Sequence, residues 1–280
     1  MSIVSNVSII GAGFTGKQIA EWTVLHNFRV VVFDLKKEIL DDAEKFITGS
    51  LKRKKRLDLV NNIEYSLDLK KSVVNSELII EAVPEDLELK RRVFSQLDKL
   101  APPKAIIATN SSSFPISKIE NVVSRKDKVL NIHFYPPISQ RPMADIMRGT
   151  KTSDETFNKG KQWIKDINCA PLVVKKECPG FVFNRIWRAV KKECIEMWAG
   201  DYAEIEDIDT AWKIFTGMKM GPFVLMDAIG LDTVYAVEES YYNETGDIRD
   251  KPPQAFEEMV KRGDLGMKTG KGFYKWKKTG

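Results

Sequence analysis

The chain has 280 residues, of which 43% are hydrophobic and 30% are charged, with a formal net charge of +5. This length and composition can build one large domain or two smaller domains, each with its own core. No apolar run approaches the ~18 to 20 residues of a membrane-spanning helix, and no basic leader of a signal peptide is present at the start. We therefore expect a water-soluble protein without a membrane partner.

Few cysteines and histidines are available for chemistry. Cys169, Cys178 and Cys194 form no CxxC pair, and their odd number leaves one over, which favours a reducing, cytoplasmic setting. Only two histidines accompany them. With so few thiols and imidazoles, we expect no metal site.

The first two thirds of the chain alternate short apolar runs with amphipathic stretches. Apolar runs of strand length occupy residues 6–12, 29–34, 77–83, 105–110 and 128–134, with a further pair at 143–149 and 170–176. Helical spacing of apolar residues occupies residues 15–26, 36–55, 86–100 and 154–167. Strand–helix alternation of this kind predicts an α/β fold with a doubly wound, mostly parallel sheet.

The pattern changes near residue 177. In the segment ECPGFVFNR, Pro179 and Gly180 interrupt the chain. Beyond it, helical spacing occupies residues 181–199, 205–217, 230–246 and 254–263. We therefore predict two domains: residues 1–177, which contain the sheet, and residues 178–280, which are all helical.

The first predicted strand leads into VSIIGAGFTGKQIA, where Gly11, Gly13 and Gly16 have GxGxxG spacing. Between a strand and a helix, this motif is typical of dinucleotide binding. Gly11 permits a tight turn, Gly13 lets the backbone approach a pyrophosphate, and Gly16 lets helix and strand pack closely. Exposed N–H groups and the helix dipole at the same turn, which also contains Phe14 and Thr15, would hold the phosphates.

Asp34 ends the second predicted strand, eighteen residues after Gly16. A carboxylate there hydrogen-bonds the ribose hydroxyls of NAD and repels the 2′-phosphate of NADP. The strand, the glycines and the acid together predict a Rossmann-type domain that binds NAD. Lys36 and Lys37 follow Asp34 and could tolerate a phosphate, and FAD-binding domains share the glycine motif, so NADP and FAD stay as alternatives.

A basic run, LKRKKR, occupies residues 51–56. Such a run is typical of a solvated helix face, or of a patch for an anionic partner such as a phosphorylated cofactor tail. No aromatic residues interleave the basic ones, which argues against nucleic acid as the partner.

The two histidines are the candidates for moving a proton. Histidine suits this task because its unperturbed pKa of about 6.5 lies near neutral pH. His26 lies at the end of the first predicted helix, where we expect a structural role, whereas His133 ends a predicted strand. Parallel α/β sheets bind ligands at the carboxyl ends of their strands, so His133 is the predicted proton carrier.

Six ordered segments resemble the 3-hydroxyacyl-CoA dehydrogenase family over nearly the whole chain: IIEAVPEDLELK, ATNSSS, IHF, CPGFVFNR, MGPFVLMDAIGLD and GMKTGKGFYKW. The resemblance implies an NAD-dependent enzyme that interconverts 3-hydroxyacyl-CoA and 3-ketoacyl-CoA. It further implies a short substrate such as 3-hydroxybutyryl-CoA, and a homodimer that forms through the helical domain.

The resemblance also assigns roles to matching residues of this chain. His133 would be the general base, and Asp145 would stabilise its imidazolium. Ser112 would hydrogen-bond the reacting oxygen, and Asn184 would contact the substrate from the helical domain. The other matching positions are cofactor contacts at Ala82, Glu85, Lys90 and Asn110, and CoA contacts at Ser50, Lys52, Arg53 and Lys54.

Structural roles are the alternatives for three of these residues. Ser112 lies in a run of three serines that could begin a helix, and Asn184 could cap one. Asp145 could be a surface strand residue that never meets His133.

Two positions depart from the family's pattern. Asp145 replaces a glutamate and is one methylene shorter, so it can serve only if it lies closer to the histidine. Pro136, in HFYPP, replaces an asparagine that contacts the cofactor in many members, and proline brings no donor. Two alternatives therefore stay open: a same-fold dehydrogenase or reductase of free hydroxy or keto acids or dicarbonyl compounds, and a non-catalytic NAD-binding protein like certain lens crystallins.

Overall fold

The structure, a computed structural model, describes residues 4–178 and 180–277. Pro179, which we predicted to interrupt the chain, lies outside these residues. The chain divides into two compact units, Met1–Val182 and Phe183–Gly280. The boundary at residue 177 that the sequence predicts lies a few residues before this division.

The described part of the first unit contains eight strands and five α-helices. The strands are β1 (Asn6–Ile10), β2 (Arg29–Phe33), β3 (Ile63–Ser66), β4 (Leu78–Glu81), β5 (Ile106–Thr109), β6 (Val129–Phe134), β7 (Met143–Arg148) and β8 (Ala170–Val174). The helices are α1 (Phe14–Leu25), α2 (Lys37–Arg53), α3 (Leu69–Val73), α4 (Leu87–Leu100) and α5 (Asp154–Asp166). Neither β3 nor the one-turn helix α3 was predicted from the sequence.

All eight strands form one sheet, in the order β3-β2-β1-β4-β5-β6-β7-β8. Neighbouring strands are parallel except β6 and β7, which are antiparallel. The order of the first six strands is that of dinucleotide-binding Rossmann domains, so the predicted α/β fold class is confirmed. The carboxyl ends of β1, β2, β4, β5 and β6 meet at one edge of this sheet.

Successive residues of the central strands pack into two apolar cores, one on each face of the sheet. In β4, Leu78 and Ile80 belong to the core that includes side chains of α1, α2 and α5, whereas Ile79 belongs to the core that includes α4. Burial on both faces explains why these strands read as continuous apolar runs in the sequence.

The second unit is helical, as predicted. Its helices are α6 (Phe183–Ala199), α7 (Ile205–Thr216), α8 (Pro222–Ile229), α9 (Leu231–Thr245) and α10 (Gln254–Lys261). They enclose a core that contains Phe223, Met226, Leu231 and Phe256. Within the described ranges of both units, no helix is long and apolar enough to cross a membrane.

Candidate active site

The turn between β1 and α1 has the shape that a dinucleotide requires. Gly11 has a φ of +104°, which residues with a side chain rarely adopt, and a Cβ there would lie 2.6 Å from Ala82 O. A Cβ on Gly16 would lie 1.8 Å from Gly11 O, so the helix meets the turn only because this residue is glycine. In contrast, a Cβ on Gly13 would have no neighbour within 4 Å.

The N-terminus of α1 is available to an anion. Gly13 is its N-cap residue and makes no side-chain hydrogen bond to the helix, whereas Asp86 caps α4 by accepting one from Leu89 N. Phe14 and Thr15 are the first residues of α1, and Phe14 is 68% exposed. The first N–H groups of the helix, together with its dipole, can therefore bind a pyrophosphate beside Gly13.

Asp34 follows β2 and lies against the same turn. Its Oδ2 accepts a hydrogen bond from Ala12 N at 2.9 Å, and its Oδ1 accepts one from Lys36 N at 3.2 Å. The half-buried carboxylate is thereby held beside the glycine turn, where it can accept hydrogen bonds from ribose hydroxyls. The open space at Gly13, the uncapped helix and this acid fit NAD.

Lys90 belongs to a buried ionic cluster. Its side chain is 1% exposed, and its Nζ lies 2.8 Å from Glu81 Oε1 and 3.1 Å from Glu85 Oε2. A third contact joins Nζ to Val83 O at 3.3 Å. The ammonium group thus has three partners inside the protein, so any influence of Lys90 on the cofactor would be exerted through the more exposed Glu85.

Glu85 connects this cluster to the three-serine loop after β5. Its Oε1 accepts hydrogen bonds from Ser111 Oγ at 2.5 Å and from Ser113 N at 2.9 Å. Burial alone would raise the pKa of Glu85, but the Lys90 ammonium and these hydrogen bonds hold it below its ordinary value. The loop is therefore fixed on both sides of Ser112, which is itself exposed.

Asn110 ties the ends of two neighbouring strands together. Its Oδ1 accepts a hydrogen bond from Phe134 N at 2.9 Å, so its NH₂ group stays able to donate elsewhere. Since β5 and β6 are parallel neighbours, Ser112 and His133 both lie at the carboxyl edge of the sheet.

His133 and Asp145 form a buried pair across β6 and β7. The antiparallel register places the two residues directly opposite each other, and His133 Nδ1 lies 3.1 Å from Asp145 Oδ2. The two residues are 6% and 1% exposed. Direct opposition explains how the shorter acid reaches the ring. The contact also excludes the alternative in which Asp145 is an isolated surface residue.

The chemistry of this pair follows from its donors and acceptors. An ionised carboxylate only accepts hydrogen bonds, so the shared proton belongs to His133 Nδ1. The other ring nitrogen, Nε2, then keeps a lone pair and can take up a proton. Asp145 Oδ1 also accepts a hydrogen bond from Val182 N at 3.3 Å, which helps to fix the acid. The arrangement can act as a general base oriented by a carboxylate.

Two aromatic neighbours of His133 were not predicted from the sequence. The Tyr135 hydroxyl donates a hydrogen bond to Asp145 Oδ2, and the Tyr135 ring lies 4.6 Å from the imidazole, edge to face. The Phe181 ring lies 5.3 Å from the imidazole. Residues two apart in a strand point to the same side, and this spacing is the signal that could have revealed Tyr135.

The loop after His133 contains the second departure from the family's pattern, Pro136. Gln18, in α1, accepts a hydrogen bond from Ile138 N at 3.3 Å, and Arg141 donates one to Pro136 O at 2.8 Å. The helix that begins at the glycine turn therefore also positions the loop that follows the histidine.

Ser50 lies inside the first unit rather than on its surface. It is 3% exposed, and its hydroxyl donates a hydrogen bond to Glu21. A CoA contact at Ser50 would have to compete with this acid. Lys52, Arg53 and Lys54 are exposed at the C-terminal end of α2, where the helix dipole favours positive charge even without a ligand.

Helix capping does not account for Ser112 or Asn184. The serine loop precedes a short 3₁₀ turn, Ile116–Lys118, whose N-cap residue is Pro115, so no α-helix begins at the serines. Asn184 is the second residue of α6 and lies within its first turn. The contacts with substrate that the resemblance assigns to both residues stay predictions.

Two family models together match almost the whole chain. The 3-hydroxyacyl-CoA dehydrogenase NAD binding domain matches residues 6–178, and the 3-hydroxyacyl-CoA dehydrogenase C-terminal domain matches residues 180–276. A probable 3-hydroxybutyryl-CoA dehydrogenase of Deinococcus radiodurans is 34% identical, over 96% of this chain and 99% of the relative.

Solved structures agree with the family models. (S)-3-hydroxybutyryl-CoA dehydrogenase from Ralstonia eutropha matches with a TM-score of 0.91 at 32% identity, covering 98% of this chain and 99% of that one. A diketoreductase described as acting on dicarbonyl compounds matches with a TM-score of 0.87 at 33% identity, covering 99% of this chain and 100% of that one. The chain therefore belongs to the 3-hydroxyacyl-CoA dehydrogenase family and is an NAD-dependent oxidoreductase.

Proposed function

We propose that the protein interconverts a short 3-hydroxyacyl-CoA, such as 3-hydroxybutyryl-CoA, and its 3-keto form, with His133 as general base. The observation that carries this proposal is the buried contact between His133 Nδ1 and Asp145, which leaves Nε2 as the base at the carboxyl edge of the NAD-binding sheet. Two relatives, each named a probable 3-hydroxybutyryl-CoA dehydrogenase, in Deinococcus radiodurans and Bacillus subtilis, support the choice of substrate.

Each predicted residue has one task in the oxidation. His133 Nε2 takes the proton of the substrate hydroxyl while the hydride leaves the carbon that carries this hydroxyl. Bound NAD supplies the acceptor for that hydride, and NADH supplies the hydride in the reverse direction. Asp145 stabilises the imidazolium through Nδ1, Ser112 donates a hydrogen bond to the reacting oxygen, and Asn184 holds the thioester side.

A second candidate is a reaction on free hydroxy or keto acids or on dicarbonyl compounds. Its support is the similarity to the diketoreductase, together with the buried Ser50 hydroxyl, which already has Glu21 as its partner. The third candidate is a non-catalytic NAD-binding protein, in which the oriented His133–Asp145 pair would have no function.

NADH oxidation with a panel of ketones separates the three functions. If CoA is part of the substrate, we expect kcat/KM for acetoacetyl-CoA to exceed that for acetoacetate and diketo esters at least ~100-fold, because binding of the CoA tail helps to lower the barrier. Equal values with and without CoA would contradict the proposal and support the second candidate. Tight NADH binding without turnover of any ketone would support the third candidate, a non-catalytic NAD-binding protein.

We also propose that the protein is a homodimer that assembles through its helical unit, and that it works in the cytoplasm. Large apolar side chains exposed on that unit support the dimer, because a second copy would remove them from water. They include Ile186, Ile214, Phe215 and Met218. The three cysteines are free thiols in the structure, as a reducing compartment would keep them.

A further inference from the structure

Asp145 is a buried acid with three hydrogen-bond donors around it. Its Oδ2 accepts from both His133 Nδ1, at 3.1 Å, and the Tyr135 hydroxyl. Its Oδ1 accepts from Val182 N at 3.3 Å. Asp145 is 1% exposed and Tyr135 is 6% exposed, so these contacts are shielded from solvent. A buried carboxylate needs such donors, because an unpaired charge is costly in the protein interior.

The extended chain brings Tyr135 to this position. β6 ends at Phe134, and residues two apart in an extended segment project to the same side, so Tyr135 follows His133 on one face. Asp145 shares this face because the register places it opposite His133. The tyrosine therefore touches both members of the pair: its ring meets the imidazole, with centroids 4.6 Å apart, and its hydroxyl meets the carboxylate.

We propose that Tyr135 is a positioning residue for the proton transfer at His133. Its hydroxyl holds Asp145 Oδ2 where this oxygen accepts the Nδ1 proton, and the backbone donor at Val182 holds the other oxygen. Without the hydroxyl, the carboxylate can rotate away from the ring, and small losses of alignment at a reacting group lower rates strongly. The inference rests on the proposed role of His133 as general base.

Two substitutions of tyrosine by phenylalanine isolate the hydroxyl. Tyr135→Phe removes the donor to Asp145 but keeps the ring that packs on His133. Tyr65→Phe is the matched control, because the Tyr65 hydroxyl is also buried in the first unit and has no hydrogen-bond partner among the described residues. A role for Tyr135 in packing alone would be preserved by phenylalanine.

Steady-state kinetics with NADH and the most active ketone give the first readout. We expect Tyr135→Phe to lower kcat about tenfold, while KM and the Kd of NADH change less than about twofold. Tyr65→Phe should leave all three unchanged. In an Asp145→Asn background no carboxylate is left to position, so adding Tyr135→Phe should lower kcat by less than about twofold. An unchanged kcat in Tyr135→Phe, or effects of the two substitutions that multiply, would overturn the proposal.

NMR of protein labelled with ¹⁵N-histidine gives a second readout, since the chain has two histidines. Tyr135→Phe should shift the Nδ1–H resonance of His133, because the acceptor of that proton loses its other donor. His26 serves as an internal control, since its Nδ1 lies 2.7 Å from Trp22 O, a different acceptor. An unchanged His133 resonance would contradict the proposal.

His133→Asn separates a failure of this inference from a failure of the proposed function. If His133→Asn keeps the kcat of the wild type, His133 is not the general base, and the proposed role of Tyr135 is wrong as well. If His133→Asn removes nearly all turnover while Tyr135→Phe changes nothing, only the role of Tyr135 is overturned.

Discussion

Gly13 and Gly16 lie three residues apart at the start of α1, but the space around them differs. A Cβ on Gly13 would meet nothing within 4 Å, whereas a Cβ on Gly16 would lie 1.8 Å from Gly11 O. Gly13 has a φ of −64°, which any residue can adopt. The absence of a side chain therefore leaves space for a ligand at Gly13 and permits close packing at Gly16.

Alanine at these two positions should separate binding from folding. We expect Gly13→Ala to weaken NADH binding about tenfold or more, because its methyl group enters the space of the pyrophosphate, and to change Tm by less than about 2 °C. Gly16→Ala should instead cost about 3 kcal/mol or more of unfolding free energy, because backbone atoms must move. NADH titration and thermal unfolding test both, and unchanged NADH affinity in Gly13→Ala would contradict the assigned cofactor site.

The sequence predicts some single residues of the site and not others, for physical reasons. The glycines and Asp34 are predictable because local backbone shape requires them where they lie. His133 is predictable because it lies at the end of a predicted strand. Glu81 was not predicted, because an acid inside the apolar run LIIEAV reveals its partner only once Lys90 of the following helix is folded against it. The contact of Tyr135 with Asp145 depends in the same way on a neighbouring strand, β7.

Helix α6 carries two cations with unequal contacts, the half-buried Arg188 and the buried Lys191. Arg188 donates to Glu238 Oε2 at 2.9 Å and to Asp250 Oδ1 at 2.8 Å. Lys191 Nζ lies 3.7 Å from Glu238 Oε1, beyond hydrogen-bond distance. Burial raises the pKa of Glu238 and lowers the pKa of Lys191, so the attraction between these two groups does not offset their loss of hydration.

Methionine at these two positions should have different effects on stability. We expect Arg188→Met to lower the free energy of unfolding by about 3 kcal/mol or more, since it leaves the buried carboxylate of Glu238 without its hydrogen-bond donor. Lys191→Met should change it by less than about 1 kcal/mol, because burial already disfavours the charge that is removed. Urea unfolding measures both, and an equal loss in the two variants would show that Lys191 is a full partner of Glu238.

At the same scale of elements, alternation of strands and helices predicts most of the sheet but not all of it. β3 is a four-residue strand at the edge of the sheet, IEYS, too short and too polar to stand out in the sequence. The antiparallel direction of β7, in contrast, follows from the length of the connection before it, which the sequence shows. Residues 135–142 between β6 and β7 are eight in number, too few for a parallel crossover.

Across the first unit as a whole, one sheet edge collects side chains that are far apart in sequence. The glycine turn follows β1, Asp34 follows β2, Glu85 follows β4, Ser112 follows β5, and His133 lies near the end of β6. Parallel strands make this convergence unavoidable, because all of their carboxyl ends face the same way. Fold and reaction class are therefore predictable from the sequence, whereas the choice between CoA-bound and free substrates depends on contacts with the substrate beyond its reacting carbon.

The central claim is that His133, held by Asp145, transfers the substrate proton, and the kcat of His133→Asn tests it most directly. NADH-dependent reduction of the best ketone should be measured beside NADH binding in the same variant. The proposed mechanism predicts that kcat falls about 1,000-fold while the Kd of NADH changes less than about twofold. A variant that keeps about a tenth or more of the wild-type kcat would contradict it.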